Sequence, residues 1–219
     1  MLMNKMETLL VTSPANRFFQ RRVEAPILRR LGGRTPGARA LEIGCGSGYG
    51  TKLIIDQFGA ATVDAVDLDP AMVARSRRLL RRYHDQVRVV QGSADDLRAA
   101  LDAEDGTYDA VFDFGIIHHV INWRDAVAEV ARVLRPGGRF YYVEVTAAAL
   151  ARPSYRRFLD HPIQDRFTAG QFLAELARHG LDPADRWRTY VGSDYLAGVA
   201  QRSRDQQQQC AGPRTGNCQ

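Results

Sequence analysis

Short apolar runs alternate with stretches of helical periodicity from residue 40 to residue 145, and this alternation restricts the fold more than any other feature of the chain. The pattern predicts strands over 40–43, 62–66 and 87–90, with helices over 49–58 and 70–83 between them. A short helix near 96–101, a strand over 110–114, a helix over 123–134 and a strand over 139–145 continue it. Strands joined through helices run parallel, because a long crossover is needed to return the chain to the same end of the sheet. The expected class is therefore α/β, a doubly wound open sheet with helices on both faces. Two later strand candidates, 187–191 and 196–200, have no helix between them and should pair antiparallel, giving seven strands in all.

Ser13-Pro14 is a capping residue followed by proline at the first helical position, and Phe18, Val23, Ile27 and Leu31 then recur near helical spacing until Gly32-Gly33. Residues 1–33 are expected to form an N-terminal helical lid on a main domain at 34–202. Within that domain 146–167 reads as an insertion, followed by a helix over 169–179. The stretch 203–219 holds four consecutive glutamines and almost no apolar residues, so it is expected to be a disordered tail.

At 219 residues the chain suits one hydrophobic core. A hydrophobic share of 45% with 25% charged residues excludes a wholly disordered or fibrous chain. No apolar run approaches the about 20 residues that cross a bilayer, and the N-terminus lacks the apolar core of a secretory signal. No membrane partner is expected, and the expected location is cytoplasmic. Cys45, Cys210 and Cys218 are odd in number and not at metal-ligand spacing, so neither a disulfide framework nor a metal site is expected. The net charge of +5 raises nucleic acid as a partner, with Arg75, Arg77, Arg78, Arg81 and Arg82 crowded together. Those arginines fall on a predicted helix whose other side carries Val73, Leu79 and Leu80, without interleaved aromatics as stacking platforms. A solvated helix face is favoured and nucleic acid disfavoured.

The segment from Leu41 to Thr51 closes the first strand and opens the first helix, and its glycines allow a sharp turn close to a ligand. A dinucleotide fingerprint would need glycine at position 49, where Tyr49 stands. The pattern is instead Glu42-x-Gly44-x-Gly46-x-Gly48. A carboxylate at Glu42 suits a cationic amino acid and repels a pyrophosphate. This spacing resembles motif I of the class I S-adenosylmethionine-dependent methyltransferases. Asp67, at the end of the second strand, can accept hydrogen bonds from both hydroxyls of a ribose. In the resembled family that position binds the ribose of S-adenosylmethionine, and the next residue, here Leu68, packs on the adenine. Asp69 is expected to cap the helix that starts at Pro70.

The stretch Gly92-Ser93-Ala94-Asp95-Asp96-Leu97 is similar to the family's segment at the adenine edge, with Ser93 in place of the usual acid. Asp95 or the Ala94 backbone is then left to meet the adenine amino group, unless Asp95 or Asp96 merely caps the short helix. Residues 108–120 resemble the fourth strand and its following turn, adding Asp113 and Phe114 to the cofactor set. Residues 134–140 resemble the turn before the fifth strand. The resemblance implies a Rossmann-like seven-stranded sheet with an antiparallel last strand, and S-adenosyl-L-methionine as cofactor.

Methyl transfer from a sulfonium is an in-line displacement that asks mainly for positioning and exclusion of water. An acceptor hydroxyl or acidic carbon would also need a base. His118, His119 and Glu144 sit where strands four and five end, with His119 the first choice. The competing reading has one histidine capping a helix and the other packed in the core. The motifs of base-amino, cytosine-C5 and protein-arginine methyltransferases are missing, since Asp113-Phe114-Gly115-Ile116 follows the fourth strand and no cysteine follows a proline. What remains is a small-molecule acceptor with an O, N or C nucleophile, as in quinone or natural-product biosynthesis. The rivals are a nicotinamide-dependent oxidoreductase, a nucleic-acid methyltransferase and a non-catalytic S-adenosylmethionine-binding module. The acceptor pocket is expected under Arg17, Phe18 and Phe19 together with Tyr155, Phe158 and Phe167 of the insertion, and a homodimer is admitted as the oligomeric form.

Overall fold

Strands β1 (Arg39–Ile43), β2 (Thr62–Asp67), β3 (Val87–Gln91), β4 (Tyr108–Phe114) and β5 (Leu134–Val145) are all parallel in the computed structural model, which describes residues 4–153 and 165–204. Their crossovers are α4 (Tyr49–Leu53), α5 (Pro70–Leu79), α6 (Leu97–Leu101) and α7 (Trp123–Val133). After α8 (Ala147–Leu150) and α9 (Ala169–Arg178) come β6 (Leu181–Asp182), β7 (Trp187–Tyr190) and β8 (Tyr195–Arg202). The sheet order is β3-β2-β1-β4-β5-β8-β6. β8 lies antiparallel to β5, and β6 and β7 pair with opposite ends of its outer edge. Among the described residues the sheet is seven positions wide and holds eight strands, its outer position divided between β7, which was expected, and the two-residue β6, which was not. The order reverses between β1 and β4, which opens a crevice at their C-terminal ends.

Alternate residues of the buried strands serve opposite faces, as a sheet covered on both sides requires. Leu41 and Ile43 of β1 join a core with Trp123, Val127, Phe140 and Phe172. Ala40 joins the other core, with Phe58, Phe112 and Tyr141. The expected helix starts are present: Asp69 Oδ1 accepts from Ala71 N at 2.7 Å, Asp96 Oδ1 from Ala99 N at 3.0 Å, and Ser13 Oγ from Asn16 N at 3.1 Å. Exposed Arg75, Arg78, Arg81 and Arg82 lie opposite buried Val73 and Leu80, and Arg77 donates to Val89 O.

The N-terminal segment departs from one regular lid helix. A first helix, α1 (Lys5–Thr12), precedes α2 (Pro14–Phe19), and α3 (Ala25–Gly32) follows across a π-turn at Gln20–Glu24. Pro26 explains the turn: it has no N–H to donate four residues back and its ring crowds that carbonyl. Ala25 N donates instead to Gln20 O, five residues back. α3 also packs on the sheet, with Ala25 and Leu28 fully buried in the core with Phe58 and Tyr141. α1, α2 and the π-turn, with Ile27 at the start of α3, line the crevice. Phe167, expected in the roof, is a core residue beside Trp123 and Phe172, with ring centroids at 4.9 Å from each. Tyr155, Phe158 and the tail beyond residue 204 lie outside the described residues. Among the described residues no helix is long and apolar enough to cross a membrane.

Candidate active site

A cavity of about 950 Å³ occupies the crevice above β1, β2, β4 and β5. One wall is the loop from β1 to α4. Gly46 has φ +51°, and a Cβ there would meet nothing within 4 Å, so the loop's crest is open to the cavity. Asp67, at the end of β2, holds that crest: its Oδ2 accepts from Gly46 N at 2.7 Å and its Oδ1 from Asp69 N at 2.9 Å. Burial raises Asp67 above its usual value against these two donors. Leu68 stands beside it at 45% exposure, an apolar side chain on the cavity wall that the protein leaves half uncovered.

Glu42 lies on the same face of β1 as Ala40 and is buried beneath the loop, accepting from the Thr51 hydroxyl of α4. Burial, opposed by that hydroxyl and reinforced by the charges of Asp67 and Asp113, raises Glu42 to about 8. Gly50 explains how the carboxyl fits. A Cβ at Gly50 would run into Glu42 Oε1 and lie 2.8 Å from Phe114 Cδ2. Sequence reasoning missed Gly50 and Thr51, although an extra glycine inside a helical turn is a readable sign of close approach.

The expected cofactor residues divide. Glu42, Gly44, Gly46, Asp67, Leu68, Ala94, Asp95 and Phe114 all line the cavity. Asp95 accepts from the Ser93 hydroxyl, and helix capping has fallen to Asp96. Gly48 and Asp113 stand behind the wall. Gly48 packs under α5, where a Cβ would lie 2.5 Å from Ser76 Oγ. Asp113 is fully buried and shapes the turn after β4, its Oδ1 accepting from Gly115 N at 2.9 Å and Ile116 N at 2.8 Å.

The three expected catalytic residues meet on the opposite wall. Glu144, fully buried in β5, accepts from Ile117 N at 2.7 Å and from His118 N at 3.3 Å, and its Oε2 lies 2.6 Å from His118 Nδ1. Burial, then the neighbouring Glu144 charge, pushes Asp113 well above the carboxylate range. Glu144 is raised to about 7 by burial, against the backbone donors around it. A carboxylate on Nδ1 fixes the imidazole so that Nε2 is the basic nitrogen. The geometry thus favours His118 over His119 as the member joined to Glu144. His119 is buried beside it, with ring centroids 4.2 Å apart.

The roof comes from the N-terminal helices. Phe19 lines the cavity and Arg17 lies 5.8 Å from the Tyr49 ring centroid, whereas Phe18 points away at 65% exposure, under the Arg22 guanidinium. A third contributor was not foreseen: Tyr190, Val191 and Tyr195 of the β7–β8 hairpin also form the wall. Tyr190 and Val191 fall in a strand expected from the sequence and Tyr195 just before the next, but nothing there marked them as facing the crevice. Acidic residues line this cavity, and among the described residues no lysine or arginine does.

A family model described as a methyltransferase domain matches residues 41–142, which contain the loop wall and most of the sheet. A probable S-adenosylmethionine-dependent methyltransferase of Mycolicibacterium smegmatis is 38% identical over 114 residues, covering 52% of this chain and 40% of that protein. The fatty-acid O-methyltransferase of the same organism is 36% identical over 134 residues, covering 58% and 44%. The chain thus spans about two fifths of the length of these curated relatives. The solved structure of an S-adenosylmethionine-dependent methyltransferase from Mesorhizobium loti superposes with a TM-score of 0.65 at 19% identity, over 81% of this chain and 96% of that one, a likeness of fold. Residues 41–142 of the chain are thus similar to a methyltransferase domain, and its glycine loop, strand-end acid and antiparallel last strand sit in a fold shared with an S-adenosylmethionine-dependent methyltransferase.

Proposed function

We propose that this protein transfers the methyl group of S-adenosylmethionine to a small, uncharged and largely apolar acceptor whose proton His118 removes. The loop wall fits that cofactor: an open glycine crest, a strand-end acid for the ribose hydroxyls, a half-exposed Leu68 for a purine face, and acids without cations beside a sulfonium and an ammonium. When bound, the cofactor supplies an electrophilic methyl whose carbon–sulfur bond breaks as the acceptor's bond to carbon forms, the electron pair staying on sulfur.

The observation that carries the base assignment is the His118–Glu144 pair, 2.6 Å apart on the cavity wall. Glu144 orients the ring and stabilises the imidazolium formed when Nε2 takes the acceptor's proton. The roof and hairpin, with Leu10, Phe19, Val23, Ile121, Tyr190 and Val191, offer an apolar surface that excludes water from the transfer. An acceptor with a free carboxylate or phosphate would find no lysine or arginine among the described cavity residues. A phenol, an enol or an acidic carbon on an apolar frame suits both the base and the wall.

The test is a screen of such acceptors with labelled cofactor, followed by His118→Asn on any that turn over. The variant should lower kcat by about 10²- to 10⁴-fold, the usual contribution of a positioned base, while cofactor affinity stays as it was. An unchanged kcat would remove His118 from the chemistry. A protein that binds the cofactor yet methylates nothing in the screen would support the binding-module reading instead.

A further inference from the structure

Glu24 is an acid that neither the fold nor the transfer step uses. It closes the π-turn at Gln20–Glu24 and stands at the start of α3, yet its side chain caps nothing. It lines the cavity from the roof, and its Oε2 is buried without a hydrogen-bond partner among the described residues. A buried carboxylate in that state is costly unless something compensates it. No arginine or lysine lines the cavity among the described residues, so the carboxyl is neutralised by its own proton or by a cationic group of a ligand.

The register shows which end of a ligand reaches it. Ile43, the last residue of β1, pairs with Val66 on one side and Asp113 on the other. Asp67 and Leu68 lie on the β2 side. Glu24 lies toward the β4 side, where the charge of Asp113 acts on it. A ligand whose ribose and base sit at β2 and β3 must cross the glycine loop over β1, and its other end arrives beneath Glu24. For the cofactor that end is an amino acid.

We infer that Glu24 binds the ammonium group of S-adenosylmethionine from the roof, so that the N-terminal helices form part of the cofactor site as well as its cover. This rests on the reading of the cavity as the cofactor site. The π-turn is what aims the residue: the extra residue taken up ahead of Pro26 turns Glu24 inward while Ala25 and Leu28 stay packed on the sheet. Burial first, then Asp113, raises Glu24 to about 8, so the empty site holds a proton there that an arriving ammonium would displace. An ammonium-to-carboxylate hydrogen bond in a buried site is among the stronger polar contacts.

Calorimetry with two probes tests this. S-adenosylhomocysteine carries the ammonium and no sulfonium; 5′-methylthioadenosine keeps the nucleoside and lacks the amino-acid end. Glu24→Gln should weaken S-adenosylhomocysteine about tenfold or more and leave methylthioadenosine within about twofold. Should the glutamine variant fold poorly by its melting curve, Glu24→Asp, which keeps the charge but shortens the reach, should show the same selectivity. Equal loss for both probes, or no loss for either, would overturn the assignment. Failure of the unaltered protein to bind either probe would overturn the cofactor site itself, a separate result.

Discussion

The two walls of the cavity are built by different rules. The loop wall is set largely by backbone: Gly46 opens its crest, Asp67 ties that crest to β2, and Gly50 makes room for Glu42. The roof wall is set by individual side chains on two short helices and a π-turn, with Phe19 turned in and its neighbour Phe18 turned out. Backbone constraints admit few residue types, whereas a roof of side chains admits many. A wall of the first kind should fail sharply on a single methyl, and a wall of the second kind should shift by degrees.

The largest effect on folding stability should come from Gly50→Ala. In a helix that met no neighbour this change would be favourable by about 1 kcal/mol. Here the new methyl meets Glu42 and Phe114, and overpacking of that kind costs about 1 to 3 kcal/mol. Because Glu42 must move, cofactor affinity should fall along with the melting temperature. A variant as stable as the parent, with full affinity, would show that the loop wall yields after all.

Next in size is Asp67→Ala. Each carboxylate oxygen already accepts from a backbone N–H, at 2.7 and 2.9 Å, so the change removes the brace of the loop and, on the proposed reading, a ribose partner with it. Affinity for S-adenosylhomocysteine should drop by about 1.5 to 3 kcal/mol in calorimetry, the range for hydrogen bonds to a charged group. Unchanged affinity in a folded variant would sink the ribose assignment and leave Asp67 as a brace alone.

The same contrast explains what could be read from the sequence. Strand and helix alternation, the Asp69 and Asp96 caps and the glycine loop follow from local rules that neighbouring residues obey together, and the structure reproduces them. α1 escaped because it is only eight residues long and its apolar residues Met6, Leu9, Leu10 and Val11 stay exposed, so no buried stripe marks it. The π-turn was foreshadowed by Pro26 inside a helical pattern, but where the extra residue is absorbed depends on packing against the sheet. His118 and His119 are indistinguishable in sequence. Only the position of Glu144, 26 residues on in β5, decides which of them it holds. Gly48 and Asp113 match the family's pattern and yet act from behind the wall, since a motif records spacing and says nothing of which face a side chain takes.

One acid from each wall gives a smaller, pH-dependent effect. Glu24 and Glu42 are both raised to about 8 by burial, while in the unfolded chain each titrates near the ordinary glutamate value. The folded state therefore binds more protons than the unfolded state between those limits. Their contribution to stability is present below the unfolded value and is lost as pH rises through the folded one. The melting temperature of the ligand-free protein should carry a downward slope between about pH 5 and pH 8 from these two groups. Glu24→Gln should flatten part of it. Identical slopes for parent and variant would mean that Glu24 is solvated and that the roof does not seal the loop.

The smallest effect has the opposite sign and completes the contrast with Gly50. Gly170 lies in the first turn of α9, is exposed, and a Cβ there would meet nothing within 4 Å. Its backbone is ordinary helix, so alanine needs no strained conformation, and the unfolded chain loses freedom that the folded chain never had. Such a substitution stabilises by about 0.4 to 1 kcal/mol. In a chain of this size that is a rise of roughly 1 to 4 °C in melting temperature. Cofactor affinity should not move, because α9 contributes no residue to the cavity wall. The same added methyl thus damages one helix and strengthens another, and the difference lies in what each glycine faces. A fall in stability for Gly170→Ala would mean that α9 meets a neighbour outside the described residues, and the periphery would then be as crowded as the loop.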